Sequence, residues 1–166
     1  MSLKPPTLGR VRIRTVEAGD LDEILEINRK SFVLPYSSSV FKEFFREHRY
    51  AFLVAEYGGQ VVGYSMSRIL RKLSLRGLTV RKIGHIMSIA VDPPFRRRGI
   101  GKQLLRETIQ VLEENDAEEI RLEVRVTNHL AIKIYKSFGF QEERILPGYY
   151  SDGEDAILMV RKAQPE

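Results

Sequence analysis

The sequence predicts an α+β (α/β) protein with a mixed central β-sheet of about seven strands and about four helices. Two kinds of pattern predict this class. Alternating apolar residues on either side of a glycine turn indicate hairpins, and strand-like runs that lead into helical periodicity indicate strand–helix–strand crossovers. The predicted order is β, α, α, β, β, β, α, β, α, β, β. The length of 166 residues suits a single domain, expected over residues 11–162 between a flexible arm at 1–10 and a tail at 163–166.

The first part of the chain predicts one strand and two helices. Residues 11–16 alternate in polarity, which is typical of a strand. A helix is expected to begin at Asp20 as the N-cap, with Glu23 three residues later as a variant of the capping box. Residues 32–39 contain a proline and three serines and predict a loop before a second helix. The first helix is expected to bury Leu21, Ile24, Leu25 and Phe32, and the second Val40, Phe41, Phe44 and Phe45.

The middle of the chain predicts a hairpin and a buried strand. Gly58-Gly59 separates strand-like residues 51–57 from 60–69, and both glycines tolerate the positive φ of a tight hairpin turn. Residues 70–81 predict either a long connection or an extended hairpin tip. The near-continuous apolar run of 83–91 indicates a strand that is buried on both faces.

The last part predicts two crossovers and a closing pair of strands. Apolar spacing predicts a helix over 99–115, and alternation predicts a strand over 119–126. A further helix over 128–138 is expected to end at Gly139. The closing strands are expected over 140–146 and 156–161.

Composition excludes several kinds of protein. The chain has no cysteine, so disulfides, thiolate metal sites and cysteine nucleophiles are excluded, and no metal site is expected. No apolar run approaches the roughly 18 residues that span a membrane, and no secretion signal is recognisable, so a cytoplasmic location is expected. The net charge is +5, and residues 68–82 carry six basic residues and no acidic one. This basic segment is either a solvated hairpin or a surface for an anionic partner such as ribosomal RNA or nucleotide-like phosphates.

One loop has the pattern of an anion site. Arg96-Arg97-Arg98-Gly99-Ile100-Gly101 lies between the predicted buried strand and the start of a helix. A helix N-terminus offers free N–H groups and partial positive charge, and glycine allows close approach of the backbone to a phosphate. The loop is neither a dinucleotide-binding Gly-x-Gly-x-x-Gly nor a P-loop. By itself the pattern is also compatible with a solvated basic turn.

Three stretches in order carry a resemblance to a known family. Residues 91–101 resemble the acyl-CoA pyrophosphate loop of the GNAT superfamily, Arg/Gln-x-x-Gly-x-Gly/Ala, with Arg96, Gly99 and Gly101 at its fixed places. Residues 122–135, followed by Gly139-Phe140, look like the signature of protein N-terminal acetyltransferases, and residues 148–156 resemble a loop of the same branch. The order of elements also matches the GNAT fold. The chain is therefore similar to archaeal N-terminal acetyltransferases, which combine features of the ribosomal-protein alanine acetyltransferase and the eukaryotic catalytic subunits.

The resemblance implies direct transfer of an acetyl group from acetyl-CoA to an amine, with no metal. It implies Glu123 as the first candidate for the base and Tyr135 as the acid that protonates the CoA thiolate. His85, at the start of the predicted buried strand, is the second candidate for the base. The residues alone leave other roles open: Glu123 paired with Arg121 or Arg125, a structural His85, and a core Tyr135. The implied cofactor-binding residues are Ile89, Ala90, Val91, Arg96, Arg97, Arg98, Gly99, Ile100, Gly101, Lys102, Asn128 and Tyr135, where Asn128 is also expected to cap a helix.

The resemblance also implies a peptide substrate. Tyr36, Tyr149 and Tyr150, together with Glu123, are expected to bind the first residues of a protein N-terminus. The eukaryotic subunits carry Leu-Pro-Glu-Asn-Tyr where this chain has Leu34-Pro35-Tyr36, so the glutamate of that motif is missing. Open alternatives are a lysine or small-amine acetyltransferase and a non-catalytic module that binds acyl-CoA or RNA. The expected partners are protein N-termini and, through residues 68–82, the ribosome or nascent chains; a monomer without sequence-specific DNA binding is expected.

Overall fold

The computed structural model describes residues 9–163, and these residues build one seven-stranded sheet in the order β1-β2-β3-β4-β5-β7-β6. The predicted numbers and order of strands and helices are confirmed. The helices are α1 (Leu21–Ser31), α2 (Ser38–Glu47), α3 (Ile100–Glu114) and α4 (His129–Ser137). The strands are β1 (Arg12–Thr15), β2 (Phe52–Tyr57), β3 (Gln60–Leu73), β4 (Val80–Val91), β5 (Glu119–Arg125), β6 (Gln141–Leu146) and β7 (Ala156–Lys162).

The sheet contains one parallel contact, between β4 and β5, and it is short. Strands β1 to β4 pair antiparallel in sequence order, and β7 lies antiparallel between β5 and β6. The parallel contact joins residues 83–86 of β4 to residues 119–122 of β5 in four pairs. Beyond these pairs the two strands continue to Val91 and Arg125 without pairing to each other. We call this contact the seam, and the unpaired ends beyond it leave an opening in the sheet.

A β-bulge lies in β4 immediately beyond the seam. Met66 of β3 pairs with Ser88 and Ser67 pairs with Ile86, so Met87 is an extra residue on β4. A bulge bends its strand and redirects the side chains and backbone groups that follow. The bulge therefore adds to the divergence of β4 from β5 at this point.

Helices cover both faces of the sheet. The aromatic side chains of Phe41 and Phe44 in α2 pack with α1 and with alternate residues of β2 and β3. On the other face α3 and α4 pack on the opposite residues of the strands, including Leu122 and Val124 of β5. The approach of α3 is close, because a Cβ atom added at Gly84 would lie 3.0 Å from Leu112. Since Leu122 and Val124 face α3 and α4, Glu123 between them faces the side of α1 and α2.

The start of the first helix differs from the sequence prediction. The Asp20 carboxylate does not cap α1. It accepts a hydrogen bond from the Glu17 N–H at 2.7 Å and forms an ion pair with Arg14 at 2.7 Å. Glu23 instead accepts the Val61 N–H of β3 at 3.1 Å. The Glu17 contact is a local capping box of the 3-10 turn at residues 18–20, whereas the partners Arg14 and Val61 are not revealed by the local pattern. Phe32, predicted on the apolar face of α1, follows the helix and is 38% exposed.

The connection over residues 70–81 is an extended hairpin. Strand β3 continues to Leu73 and β4 begins at Val80, so residues 74–79 form the tip; we call residues 71–80 the hairpin end. The predicted arm at 1–10 and tail at 163–166 lie outside the described residues except for 9, 10 and 163. Within residues 9–163 no helix is both long enough and apolar enough to cross a membrane.

Candidate active site

The two predicted bases form one hydrogen-bonded pair at the end of the seam. His85 Nε2 lies 2.8 Å from Glu123 Oε2, and the side chains are 13% and 20% exposed. Glu123 directly follows Leu122, the last residue of β5 that pairs with β4. The His85–Glu123 pair therefore lies where β4 and β5 diverge. The alternative of Glu123 paired with Arg121 or Arg125 is wrong, because Arg121 pairs with Glu119 and Arg125 with Asp152 and Glu154.

The pair can act as one acid–base unit. His85 Nδ1 is buried and has no hydrogen-bond partner among the described residues. When Nε2–H is donated to the carboxylate, Nδ1 carries a lone pair that can accept a proton. The second carboxylate oxygen of Glu123 remains a further acceptor. Residues 9–163 contain no group of three or more His, Asp or Glu side chains that could hold a metal ion.

Tyr36 lies beside this pair because a buried asparagine fixes the loop between α1 and α2. The Asn28 side chain donates to the Tyr36 carbonyl at 2.9 Å and accepts the Tyr36 N–H at 3.3 Å. The Tyr36 hydroxyl donates to the Met87 carbonyl at 3.4 Å, at the β4 bulge. Burial raises the pKa of Tyr36 and the negative charge of Glu123 raises it further. The tyrosine is thus placed within the field of Glu123.

Tyr149 and Tyr150 approach the same carboxylate from the loop between β6 and β7, residues 147–155, which we call the tyrosine loop. Their rings pack edge to face with centroids 5.1 Å apart. Burial raises the pKa of Tyr149, and the charge of Glu123 adds to it. Burial also raises the pKa of Tyr150 to about 12, with a smaller contribution from Glu123. All three tyrosines that the sequence predicted thus lie within the electrostatic influence of Glu123.

The tyrosine loop is held against β5 by Arg125. The Arg125 guanidinium lies 4.0 Å from the Tyr150 ring centroid and forms ion pairs with Asp152 at 2.9 Å and Glu154 at 3.4 Å. The Thr127 hydroxyl donates to Glu154 at 2.8 Å. Stacking and ion pairing by one planar guanidinium fix both the backbone of the loop and a tyrosine ring.

The opposite side of the seam carries the predicted anion site, residues 96–102, which we call the basic loop. Gly99 is the N-cap of α3 and has a φ of 81°, a conformation that favours glycine. The first bond of the helix runs from the Gln103 N–H to the Gly99 carbonyl, at 3.0 Å. The N–H groups at the start of α3 precede that bond and are the ones that a helix leaves free for an anion.

The side chains of the basic loop are less available than its sequence indicates. Arg96 donates to the Val91 carbonyl at 2.8 Å and to the Ser31 hydroxyl at 3.0 Å, so its guanidinium fixes the loop to β4 and α1. Arg98 lies over the Phe95 ring at 5.6 Å. Arg97 and Lys102 are exposed. The loop therefore offers mainly backbone groups, and among the described residues Arg97 and Lys102 are the cations of this loop without a contact to another side chain.

In the part of the chain that the structure describes, the segment of β4 between the bulge and the basic loop has one edge without a strand partner. Ile89, Ala90 and Val91 pair with β3 on one side, and β5 does not pair with them on the other. Such an edge can bond an extended amide-containing chain as an added strand would. The Val91 carbonyl already accepts Arg96.

Tyr135 and Asn128 belong to α4. Asn128 caps this helix, since its side-chain oxygen accepts the Ala131 N–H at 3.2 Å. The Tyr135 ring packs edge to face on Phe140 at 5.9 Å, and burial raises the pKa of Tyr135 to about 12. The raised pKa keeps the Tyr135 hydroxyl protonated well above neutral pH.

Comparisons with known proteins agree with this arrangement. Residues 21–140 match the model of the acetyltransferase (GNAT) family. The chain is 45% identical over 152 residues to an N-alpha-acetyltransferase of Sulfolobus acidocaldarius, covering 89% of this chain and 90% of that protein.

The chain belongs to the GNAT acetyltransferase family.

Two further comparisons place it within the family. A Bacillus subtilis protein described as a putative ribosomal protein bS18 alanine N-acetyltransferase is 35% identical, with 90% of this chain and 94% of that protein covered. The crystal structure of Ard1 from Thermoplasma volcanium has a TM-score of 0.83 at 32% identity and covers 93% of this chain and 99% of that chain. The predicted GNAT fold is confirmed.

Sequence reasoning missed three residues around this GNAT site. Asn28 fixes Tyr36, Arg125 fixes the tyrosine loop, and Arg68 lies opposite His85 on β3. A polar Asn28 on the inner face of an amphipathic helix was a usable signal, because buried amides need partners. The contact of Arg125 with the tyrosine loop and the position of Arg68 opposite His85 do not follow from local sequence. Both depend on how distant strands pair.

Proposed function

We propose that this protein transfers the acetyl group of acetyl-CoA to the free α-amine of protein N-termini, by direct attack in a ternary complex. One observation carries the proposal: the His85–Glu123 pair lies among three tyrosines at the end of the seam, and the basic loop follows the unpaired part of β4. An amine acceptor and an acyl-CoA donor can thus approach one opening from two sides. The name of the Sulfolobus relative supports the same chemistry.

The base needs only modest strength. A protein α-amine has a pKa of about 7.7–8.0, so roughly a tenth is neutral at pH 7, against well under a thousandth of lysine side chains. The Glu123 carboxylate holds His85 through Nε2, and the pair takes up the proton that the amine loses, directly or through a water. Glu123 and His85 therefore act together, rather than as rival bases.

The donor side is built for an acyl-CoA. The free N–H groups at the start of α3 and the exposed Arg97 and Lys102 would hold the pyrophosphate, and the unpaired edge at residues 89–91 would bond the pantetheine amides. Bound acetyl-CoA supplies the thioester carbon, at which a C–N bond forms and the C–S bond breaks. Tyr135 gives its proton to the departing sulfur. Asn128 caps α4, the helix that carries Tyr135, and so orients the start of that helix.

The acceptor side is built for an extended peptide. Tyr36 and Tyr149 are 38% and 49% exposed, so their rings offer apolar area and hydroxyls to a peptide backbone. Tyr150 is more buried and supports Tyr149. The two loops that carry these residues are fixed by Asn28 and Arg125, which gives the peptide a preformed channel.

Paired peptides test the proposal. One peptide has a free N-terminus, and its twin is N-blocked but keeps an internal lysine. We expect consumption of acetyl-CoA with the free peptide alone and a mass increase located on its first residue. Acetylation of the blocked twin would move the assignment to lysine side chains. Inactivity on both, together with turnover of a small amine, would reject a protein substrate.

We also propose that the protein acts in the cytoplasm as a monomer and reaches nascent chains through the hairpin end. Arg71, Lys72 and Arg76 are exposed and form no ion pair within residues 9–163, whereas Arg81 and Lys82 are neutralised by acidic neighbours. Arg68 also forms no ion pair within the described residues, so four of the six charges of residues 68–82 are unpaired, and three of them are exposed on the hairpin end. Leu73, Leu75, Leu78 and Val80 lie 73%, 109%, 84% and 53% exposed among these cations.

Cosedimentation with ribosomes tests this contact. Replacing Arg71, Lys72 and Arg76 by glutamine is expected to abolish pelleting at low salt, because phosphate contacts of ribosomal RNA require positive charge. The matched control replaces the exposed Arg12, Lys42 and Arg144 by glutamine, which removes the same charge elsewhere. Equal pelleting of both triple variants would contradict the proposal. Gel filtration with light scattering measures whether the chain is a monomer.

A further inference from the structure

Arg68 is the one half-buried arginine of the described residues that has no acidic partner. Its side chain lies on β3, on the same face of the sheet as His85 and Glu123. The Arg68 guanidinium is 5.6 Å from the Phe44 ring centroid, and no carboxylate within residues 9–163 forms an ion pair with it. The other half-buried arginines, each with at least one carboxylate, are Arg14, Arg121, Arg125 and Arg161.

Two buried polar atoms without hydrogen bonds lie opposite each other at this place. Within the described part of the chain, Arg68 Nε and His85 Nδ1 are two of the three buried side-chain nitrogen or oxygen atoms that lack a partner. Arg68 and His85 pair directly across β3 and β4. Since buried polar groups are normally satisfied, two unsatisfied atoms on neighbouring residues point to a ligand rather than to packing.

The position of Arg68 relative to the acid–base pair fits a peptide side chain. The residues Glu123, His85 and Arg68 lie on three consecutive strands, β5, β4 and β3, which are about 4.8 Å apart. Consecutive Cα atoms of a peptide are about 3.8 Å apart. A peptide whose amine lies at the His85–Glu123 pair and which runs toward β3 therefore brings its second residue over Arg68.

The unused hydrogen-bond donors of Arg68 favour an anion at that point. Glu123 is hydrogen-bonded to His85 and forms no ion pair with Arg68 within residues 9–163, so the guanidinium keeps its donors for a ligand. The positive charge of Arg68 reaches the Tyr36 phenol, because it acts to lower the pKa of Tyr36 against burial and Glu123. The charge of Arg68 thus acts on the tyrosine that is proposed to bind the peptide. The Phe44 contact explains where the guanidinium rests but leaves its Nε–H without an acceptor.

We propose that Arg68 forms a subsite for the carboxylate side chain of the second residue of the peptide, aspartate or glutamate. The inference rests on the proposed N-terminal acetylation, because it assigns a position in that peptide. A guanidinium binds a carboxylate through two parallel hydrogen bonds, which neutral side chains cannot reproduce. The subsite thereby makes the second residue a determinant of substrate choice.

The test compares peptides that begin Ser-Glu and Ser-Gln and are otherwise identical. For the wild-type protein we expect kcat/KM to be roughly tenfold or more higher for Ser-Glu, since a hydrogen bond to a charged group contributes at least that much. Arg68→Gln is expected to bring the ratio of the two values close to one. Arg68→Glu is expected to invert the preference and to favour Ser-Lys. A role of Arg68 in packing alone would leave the ratio unchanged.

Controls separate the possible failures. Arg12→Gln removes the same charge from an exposed position on β1 and is expected to keep the full Ser-Glu preference. A thermal shift with acetyl-CoA verifies that each variant is folded. A wild-type ratio near one, or an Arg68→Gln protein that keeps the preference, overturns the subsite. If the folded wild type acetylates neither peptide but does acetylate another amine, the proposed function fails along with the subsite.

Discussion

The two sides of the seam recognise their ligands by different means. The basic loop is one continuous segment that offers backbone N–H groups, shaped by a positive φ at Gly99. The acceptor side is assembled from side chains on β3, β4, β5 and two loops, and Asn28 and Arg125 hold these loops in place. A backbone site is insensitive to most side-chain changes, whereas a site of converging side chains depends on each one. Substitutions should therefore have unequal effects on the two sides.

The largest effect is expected on the acceptor side at the acid–base pair. Glu123→Gln keeps the shape of the side chain but removes the basic oxygen, so kcat should fall roughly 10²- to 10⁴-fold with a smaller change in the peptide KM. His85→Gln should lower kcat similarly. If the two residues are one unit, the double variant is no slower than the worse single variant. Steady-state kinetics at saturating acetyl-CoA measure all three.

Glu118→Gln serves as the matched control for this pair. Glu118 lies just before β5, is exposed and pairs with Arg81, so its kcat should equal that of the wild type. An unchanged kcat for Glu123→Gln would remove Glu123 as the base. Fully additive losses would instead mean that His85 and Glu123 act on separate steps.

A smaller effect is expected at Tyr135. Tyr135→Phe removes the proton donor, so kcat should fall roughly ten- to hundredfold while the Kd of acetyl-CoA stays constant. Burial raises the pKa of Tyr135 to about 12, so the wild type should keep the proton donor up to pH 10. A tyrosine with the ordinary pKa of 10.0 would be half deprotonated at that pH. A pH profile of kcat checks this. A decline centred near pH 10 that is absent from Tyr135→Phe would contradict the raised pKa.

On the donor side the sensitive feature is a backbone angle. Gly99→Val should weaken acetyl-CoA binding roughly tenfold, because a β-branched residue at φ 81° costs more than about 1 kcal/mol and shifts the start of α3. Gly58→Val places the same residue at φ 58° in the β2–β3 turn, with nothing within 4 Å, and should leave the Kd unchanged. Calorimetry gives both values, and equal Kd values would refute the assignment of the loop.

The smallest effect is expected from a single cation of the basic loop. Arg97→Gln should raise the Kd of acetyl-CoA by less than about fivefold, since an exposed charge contributes about 0.2–1 kcal/mol. The difference should vanish at high salt, where such a charge is screened. A loss larger than that of Gly99→Val would show that side chains, and not the backbone, hold the anion, which would remove the contrast between the two sides.

Features that lie in one continuous stretch could be predicted from the sequence. The element order, the Gly58-Gly59 turn, the Asn128 cap and the Gly99 loop all follow from local chemistry. The pairing of His85 with Glu123 does not, because it depends on the parallel register of strands 38 residues apart. Asp20 shows the same limit: its local pattern is a cap, but the Arg14 guanidinium binds its carboxylate.

The narrowness of the seam has a mechanical consequence. Within residues 9–163, only four residue pairs of the β-sheet ladder join the antiparallel group β1–β4 to the group β5, β7 and β6. A bound chain that forms hydrogen bonds to the unpaired ends of both β4 and β5 would extend the contact between the two groups of strands and restrict their relative motion. Amide hydrogen exchange along the unpaired ends of β4 and β5 should therefore slow when the ligand binds. The bound substrate would then contribute part of the rigidity that positions the reacting groups.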